Sequence, residues 1–321
     1  MFIIHIYSSQ ISDKYMAMDI YHQEESNVAK TWGLMVVFLL VIIGLGWLFS
    51  QIYNSQGILI FAVLLSLIMN ITGYWFSDSI ALKSAGARAI TKEEYPDFWN
   101  VAENLAITAG LPMPRLYVID DPAPNAFATG RNKEHAAVAA TTGLLGMMSR
   151  TELEGVIAHE LSHIGNKDIL LSTVVVVLAG SIALLSNIFL RSSSIFGGRR
   201  SNDREGSGNA IFLVIGIVAA ILAPIAATLI QLSVSRKREY LADASGALLT
   251  RYPEGLASAL EKIGRYSGEM QHANNATAHL YISNPFGAHP HLQGFISRLF
   301  MTHPPIEDRI RILRGEEKVP E

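Results

Sequence analysis

Apolar and polar residues are distributed very unevenly along this chain. Four runs contain no Asp, Glu, Lys or Arg: Trp32 to Phe49, Ile58 to Phe76, Ile169 to Leu190, and Ala210 to Val234. Each approaches the ~20 residues that carry a helix across ~30 Å of hydrocarbon. One such run reads as a buried core helix; four in one chain read as membrane spans. The first two form a hairpin over 31–76, turning around Asn54, Ser55, Gln56 and Gly57. The other two form a second hairpin over 169–234. They are diluted by Ser172, Thr173, Ser181, Ser186, Asn187 and Pro224, and they bracket a charged, Ser- and Gly-rich loop over 191–209. Residues 1–30 are mixed and polar without a clear period, and read as a tail, with Met16 and Met18 as alternative starts.

Between the hairpins, over 77–168, the pattern becomes that of a soluble domain. Thr91 to Glu94 has the form of a capping box and predicts a helix running toward Gly110. Pro112 and Pro114 stop it. Arg115–Ile119, Ala126–Thr129 and Ala136–Thr142 predict three short strands. Thr151 to Glu154 is a second capping box, opening a helix whose apolar positions Leu153, Val156, Ile157, Leu161 and Ile164 keep helical spacing. A further polar segment covers 235–321. The two polar segments hold roughly 180 residues, enough for one domain with its own core.

Composition narrows the chemistry. Only 17% of residues are charged, below the ~25% usual in soluble domains, and the deficit lies in the apolar runs. The net charge of −3 gives no reason to expect nucleic acid. The absence of cysteine excludes disulfides, thiolate metal sites and cysteine nucleophiles, so a metal must use His and carboxylate ligands. Lys30, Lys83, Arg88 and Lys92 flank the first hairpin on one side, and its turn has no Lys or Arg, which predicts a cytoplasmic polar domain. The loop over 191–209, with four Arg, argues weakly the other way.

His159-Glu160-Leu161-Ser162-His163 lies inside the second capped helix. Histidines at i and i+4 share a helix face and can bind one zinc, while the glutamate between them works on a zinc-bound water. A catalytic zinc takes three protein ligands and keeps one position open. Candidates for the third are Glu239 and Asp243, themselves i, i+4. One can ligate while the other accepts a hydrogen bond from a ligating imidazole. Alternatively both are surface acids paired with Arg236 and Arg238. Spacing leaves this open.

Three blocks carry a family resemblance: His159 to Asp168, Ser235 to Asp243, and Thr302 to Ile310. Together they resemble HtpX-type membrane metalloproteases, bacterial relatives of the CAAX prenyl proteases, and the likeness runs from about Lys30 to Arg314. The resemblance implies one zinc per chain held by His159, His163 and Glu239, with Asp243 behind a ligand and Glu160 as catalytic base. Asn125 to Gly130 matches the block preceding the active-site strand, with Asn125 a candidate for binding substrate or the oxyanion, and the strand near Ala136–Thr142 is expected to receive an extended substrate. His303 and Arg309 match the C-terminal block and are expected near the site, steadying the oxyanion; capping or packing is the alternative for His303. Residues 1–30 and the stretch from Phe286 to His291 have no counterpart; His289 and His291 read as loop histidines.

The expected fold is therefore α+β: a mostly helical integral membrane protein with four transmembrane helices and a cytoplasmic zincin-like metalloprotease domain containing a small β-sheet. The expected activity is hydrolysis of membrane and unfolded proteins by zinc-activated water, without a covalent intermediate; the resemblance implies a role in protein quality control at the bacterial inner membrane. Self-cleavage is a further expectation. The competing readings are a CAAX-type processing protease, for which four spans are few, and a non-catalytic membrane scaffold with structural zinc. A transporter would need ionisable residues in its spans, and the four runs have none.

Overall fold

The structure is a computed structural model that describes residues 2–52, 54–197, 236–271, 277–287 and 304–316. The fourth apolar run, His289, His291 and His303 lie outside the described residues.

Helix α1 (Phe2–Ile52) and helix α2 (Gln56–Trp75) form the first hairpin, with Asn54 in a left-handed conformation at the turn. The expected tail at 1–30 is not a separate segment: its backbone continues α1, in keeping with the absence of Gly and Pro before Gly33. Glu25–Gln51 and Gln56–Trp75 are each long and apolar enough to cross a membrane. Their outer faces leave Val36, Leu40, Trp47, Ile60, Phe61, Leu64 and Ile68 exposed, a surface suited to lipid. Trp32 stacks on Tyr74 at 5.5 Å, as aromatic residues do near a membrane–water boundary.

Beyond a short helix α3 (Ser77–Ser84), four strands form one sheet in the order β1-β2-β4-β3. These are β1 (Ala87–Ala89), β2 (Arg115–Ile119), β3 (Ala126–Thr129) and β4 (Ala137–Thr141). The three expected strands are present. However, β4 is paired on both sides, parallel to β2 and antiparallel to β3. Its hydrogen-bonding groups are already used, so it cannot receive a substrate strand. The edge beside the site is β3.

Helix α4 (Pro96–Ala109) starts later than Thr91 to Glu94 suggested. Glu94 does accept from the Thr91 amide at 2.9 Å, but Pro96 fits only the first helical turn and keeps Tyr95 out of the helical conformation. Helix α5 (Thr142–Met147) follows β4, and α6 (Arg150–Gly165) carries the histidine pair. The capping box of α6 uses Ser149 and Glu152, two residues before the expected pair. Helix α7 (Asp168–Gly197) contains the third apolar run. Helices α8 (Arg236–Thr250), α9 (Pro253–Arg265) and α10 (Ile306–Leu313) complete the description.

Strand alternation divides the core. Leu116, Val118, Ala128, Val138 and Ala140 face α4, α6 and α9, while Ile119, Phe127, Ala137 and Ala139 face α3 and Tyr281. A separate apolar cluster joins α1, α2 and α7 through Leu34, Phe38, Ala62, Leu171, Val174 and Leu178. Between α6 and α7 the chain bends by 83°. Lys167, at φ 57°, is the left-handed residue that makes this corner.

Candidate metal centre

Helix α6 is buried between α4, α8 and α9. Two glycines permit the close contacts. A Cβ at Gly155 would stand 2.5 Å from the Leu256 backbone nitrogen, and one at Gly246 would stand 2.9 Å from that of His159. With Gly246 against His159, α8 lies directly on the face of α6 that carries the histidines.

The result is a compact donor set. His159 Nε2 and His163 Nε2 are 3.2 Å apart, and Glu239 places Oε2 3.8 Å from the first and Oε1 3.8 Å from the second. Among the described residues these three form the group able to hold a metal ion. Tetrahedral zinc with ~2.0–2.1 Å bonds needs donors about 3.3 Å apart, so these distances fit. The other imidazole nitrogens are also fixed. His159 Nδ1 lies 2.9 Å from Asp243 Oδ1, and His163 Nδ1 lies 3.1 Å from Asp168 Oδ2. A proton on Nδ1 donated to each carboxylate leaves both Nε2 lone pairs for a metal.

Glu160 is buried in the wall of the same cavity, beside Ala128, Ser172, His279 and Ile282. Burial pushes its carboxyl up to about 7; the nearby His163 and a backbone hydrogen bond from Ala128 restrain the rise, and Glu239 adds to it. A carboxyl near neutrality is suited to accepting and returning a proton. Burial drives the other way on His159, holding it down to about 4, and so neutral, against the pull of Asp243.

Arg309 is fully buried and grips Asp243 with two bonds, Nε to Oδ2 at 2.8 Å and Nη2 to Oδ1 at 2.6 Å. Its Nη1 donates to the Ile282 carbonyl at 3.1 Å. The expected proximity to the site is therefore present, and its strongest bonds hold the carboxylate that orients His159. Despite the cost of burial, the Arg309 pair depresses Asp243 to about 2. Replacing Arg309 with Ala would strand a buried carboxylate, an effect of about 3–5 kcal/mol. Thermal unfolding of the solubilised protein should show the midpoint fall accordingly; an unchanged midpoint would mean that His159 alone compensates Asp243.

Asn125 spends its side chain on the 277–287 segment. Its Nδ2 donates to the Ser283 carbonyl at 3.0 Å, and its Oδ1 accepts from the Ser283 amide at 3.3 Å. It is not among the residues lining the cavity. Three contributors were not recognised as such in the sequence. Asp168 lies five residues after His163, off its helix face, and only the corner at Lys167 returns it. Asn27 and His279 carry no local signal at all.

A buried His, His, Glu donor set with a glutamate beside it, in a chain that also carries two membrane-length helices, defines a membrane metalloprotease. The chain belongs to peptidase family M48, whose model matches residues 93–317. It is 47% identical over 299 residues to a protease HtpX homolog of Caldanaerobacter subterraneus subsp. tengcongensis, covering 92% of this chain and 97% of the relative. It is also 49% identical over 286 residues to one from Pyrococcus furiosus, covering 88% and 93%. A crystal structure of S. mikatae Ste24p aligns with a TM-score of 0.47 and 18% identity, over 93% of this chain and 66% of that one.

Proposed function

We propose that this chain is a zinc-dependent endopeptidase with four spans in the bacterial inner membrane, cutting membrane and unfolded proteins at the cytoplasmic surface as part of protein quality control. The observation that carries this reading is the meeting of His159, His163 and Glu239 within one ligand sphere, beside Glu160. The basic residues flanking the first hairpin support the cytoplasmic orientation. Asn27, near the start of the first apolar window, donates to Asp168, which supports a site close to that end of the span.

When bound by the trio, zinc supplies a Lewis acid that polarises a carbonyl and brings the pKa of its water from 15.7 toward ~7. Asp243 and Asp168 hold the two imidazoles in the tautomer that binds metal. Glu160 accepts the proton of the water whose oxygen forms the new bond to the scissile carbonyl carbon. It then returns that proton to the departing amine as the carbon–nitrogen bond breaks.

The substrate is an extended chain laid along β3. The Thr141 amide donates to Asn125, so even-numbered residues of β3 turn their backbone groups to the open edge. The Ile282 amide covers the Ala126 carbonyl and the Ala128 amide is given to Glu160, which leaves the Ala128 carbonyl, in the cavity wall, for substrate pairing. Residues 191–197 continue α7, so the proposed self-cleavage target within the Ser- and Gly-rich stretch is the part from 198 to 209.

Metal removal tests the reading. Purified protein should contain about one zinc per chain, lose casein cleavage when a chelator strips the metal, and regain it on zinc addition. Full cleavage by metal-free protein would sink the proposal.

A further inference from the structure

Asn27 sits on α1, remote in sequence from every residue of the metal centre, yet it is 2% exposed and its amide is fully occupied. Its Nδ2 donates to Asp168 Oδ1 at 2.5 Å, with the Asn166 carbonyl at 3.4 Å. Its Oδ1 accepts from Arg238 Nη1 at 3.0 Å. The same Asp168 uses its other oxygen on His163 Nδ1. Arg238 is itself buried and immediately precedes Glu239. One side chain of a membrane helix thus touches both the carboxylate behind one donor and the residue beside another.

We propose that Asn27 is a positioning residue for the metal centre, setting His163 through Asp168 and so making the first membrane helix part of the zinc site. The inference rests on the metal reading given above. The chemistry explains the residue type. Between a carboxylate and a guanidinium, a carboxamide donates to the first and accepts from the second without adding charge. Arg238 Nε lies 3.9 Å from Asp168 Oδ1. Without the amide between them, the two ions close on each other and draw Asp168 off His163. The imidazole then loses the acceptor that holds its proton on Nδ1, and the Nε2 lone pair is no longer presented to the metal. The contact is held in place because α1 is docked on α7 through Leu34, Met35 and Phe38 against Leu170, Leu171 and Val174.

The test is zinc affinity of the full-length, detergent-solubilised protein, measured by competition with a chelating dye. Asn27→Leu should weaken zinc binding by about 10–100-fold, the range for partners that orient metal ligands. Asp168→Ala should do the same, and the double variant should bind within about twofold of Asp168→Ala, because both act along one path. Should N27L not fold, Asn27→Ser, which removes the carboxamide and keeps a small polar side chain, is read in the same way. A lower unfolding midpoint with unchanged zinc affinity would mark a merely structural residue and overturn the inference, as would losses that multiply in the double variant. Wild-type protein that binds no zinc would overturn the metal reading as well. Normal wild-type binding with an unaffected Asn27 variant would overturn this inference alone.

Discussion

Glu160→Gln is expected to keep its zinc and lose its protease activity. The substitution preserves shape and leaves an oxygen for the Ala128 amide, and Glu160 is not one of the three donors. Only the ability to take and return a proton disappears. General acid–base groups contribute about 10²–10⁴-fold, and here one residue serves both halves of the cycle, so casein cleavage should fall across that range. Because the carboxyl is buried and raised to about 7, a neutral amide carries less desolvation cost, and the unfolding midpoint should stay level or rise. Zinc content and cleavage are to be measured on the same preparation. A metal-loaded E160Q protein that still cuts at the wild-type rate would remove Glu160 from the mechanism.

Glu239→Ala is expected to lose both metal and activity. With this carboxylate gone, the two imidazoles on α6 are a two-donor site, and no other described His, Asp or Glu completes a three-donor group. The fold should survive, since the lost carboxylate repels Glu160 and α8 still packs on α6 through Gly246. Ligand linkage gives a second readout. Zinc added to wild-type apoprotein should raise the unfolding midpoint, by about 2.7 kcal/mol of stability at 100 times Kd. In E239A, zinc should leave it unchanged. Full metal occupancy in this variant would assign the third ligand elsewhere.

The two variants separate binding from proton transfer, and the Arg309 and Asn27 variants probe how the imidazoles are held. Both imidazoles have a buried aspartate behind them, but the aspartates are secured differently. Asp243 is clamped by a fully buried guanidinium, whereas Asp168 is shared between a neutral amide and His163. Loss of the first support strands a charge in the core. Loss of the second frees a carboxylate to reorient, so its effect falls on metal affinity more than on folding.

Much of this was legible along the chain because the relevant forces are local. The lack of charge in the apolar runs follows from the cost of burying ions in hydrocarbon, and the first two runs fall on α1 and α2, although α1 begins well before the first run. Strands β2, β3 and β4 lie where short apolar segments fall between turn residues. Histidines four apart on a capped helix share a face by geometry alone. Errors arose where local signals compete. Two Thr-x-x-Glu patterns looked like helix starts, but Pro96 delayed one helix, and Ser149 with Glu152 opened the other. The strand expected to receive substrate turned out to lie inside the sheet, because pairing order is decided by packing over distance.

The sequence alone determined the donor types, their helical register and the apolar lengths suited to a membrane. These are properties of residues within about one turn, or one span, of each other. Only the tertiary structure decided which acid reaches which imidazole. The choice between Glu239 and Asp243 depends on how α8 settles on Gly246. The role of Asp168 depends on the left-handed corner at Lys167, and that of Asn27 on the docking of α1 against α7. Such contacts form only when helices distant in sequence are packed together, because burial makes each ionised group take whatever partner the packing brings within hydrogen-bond reach.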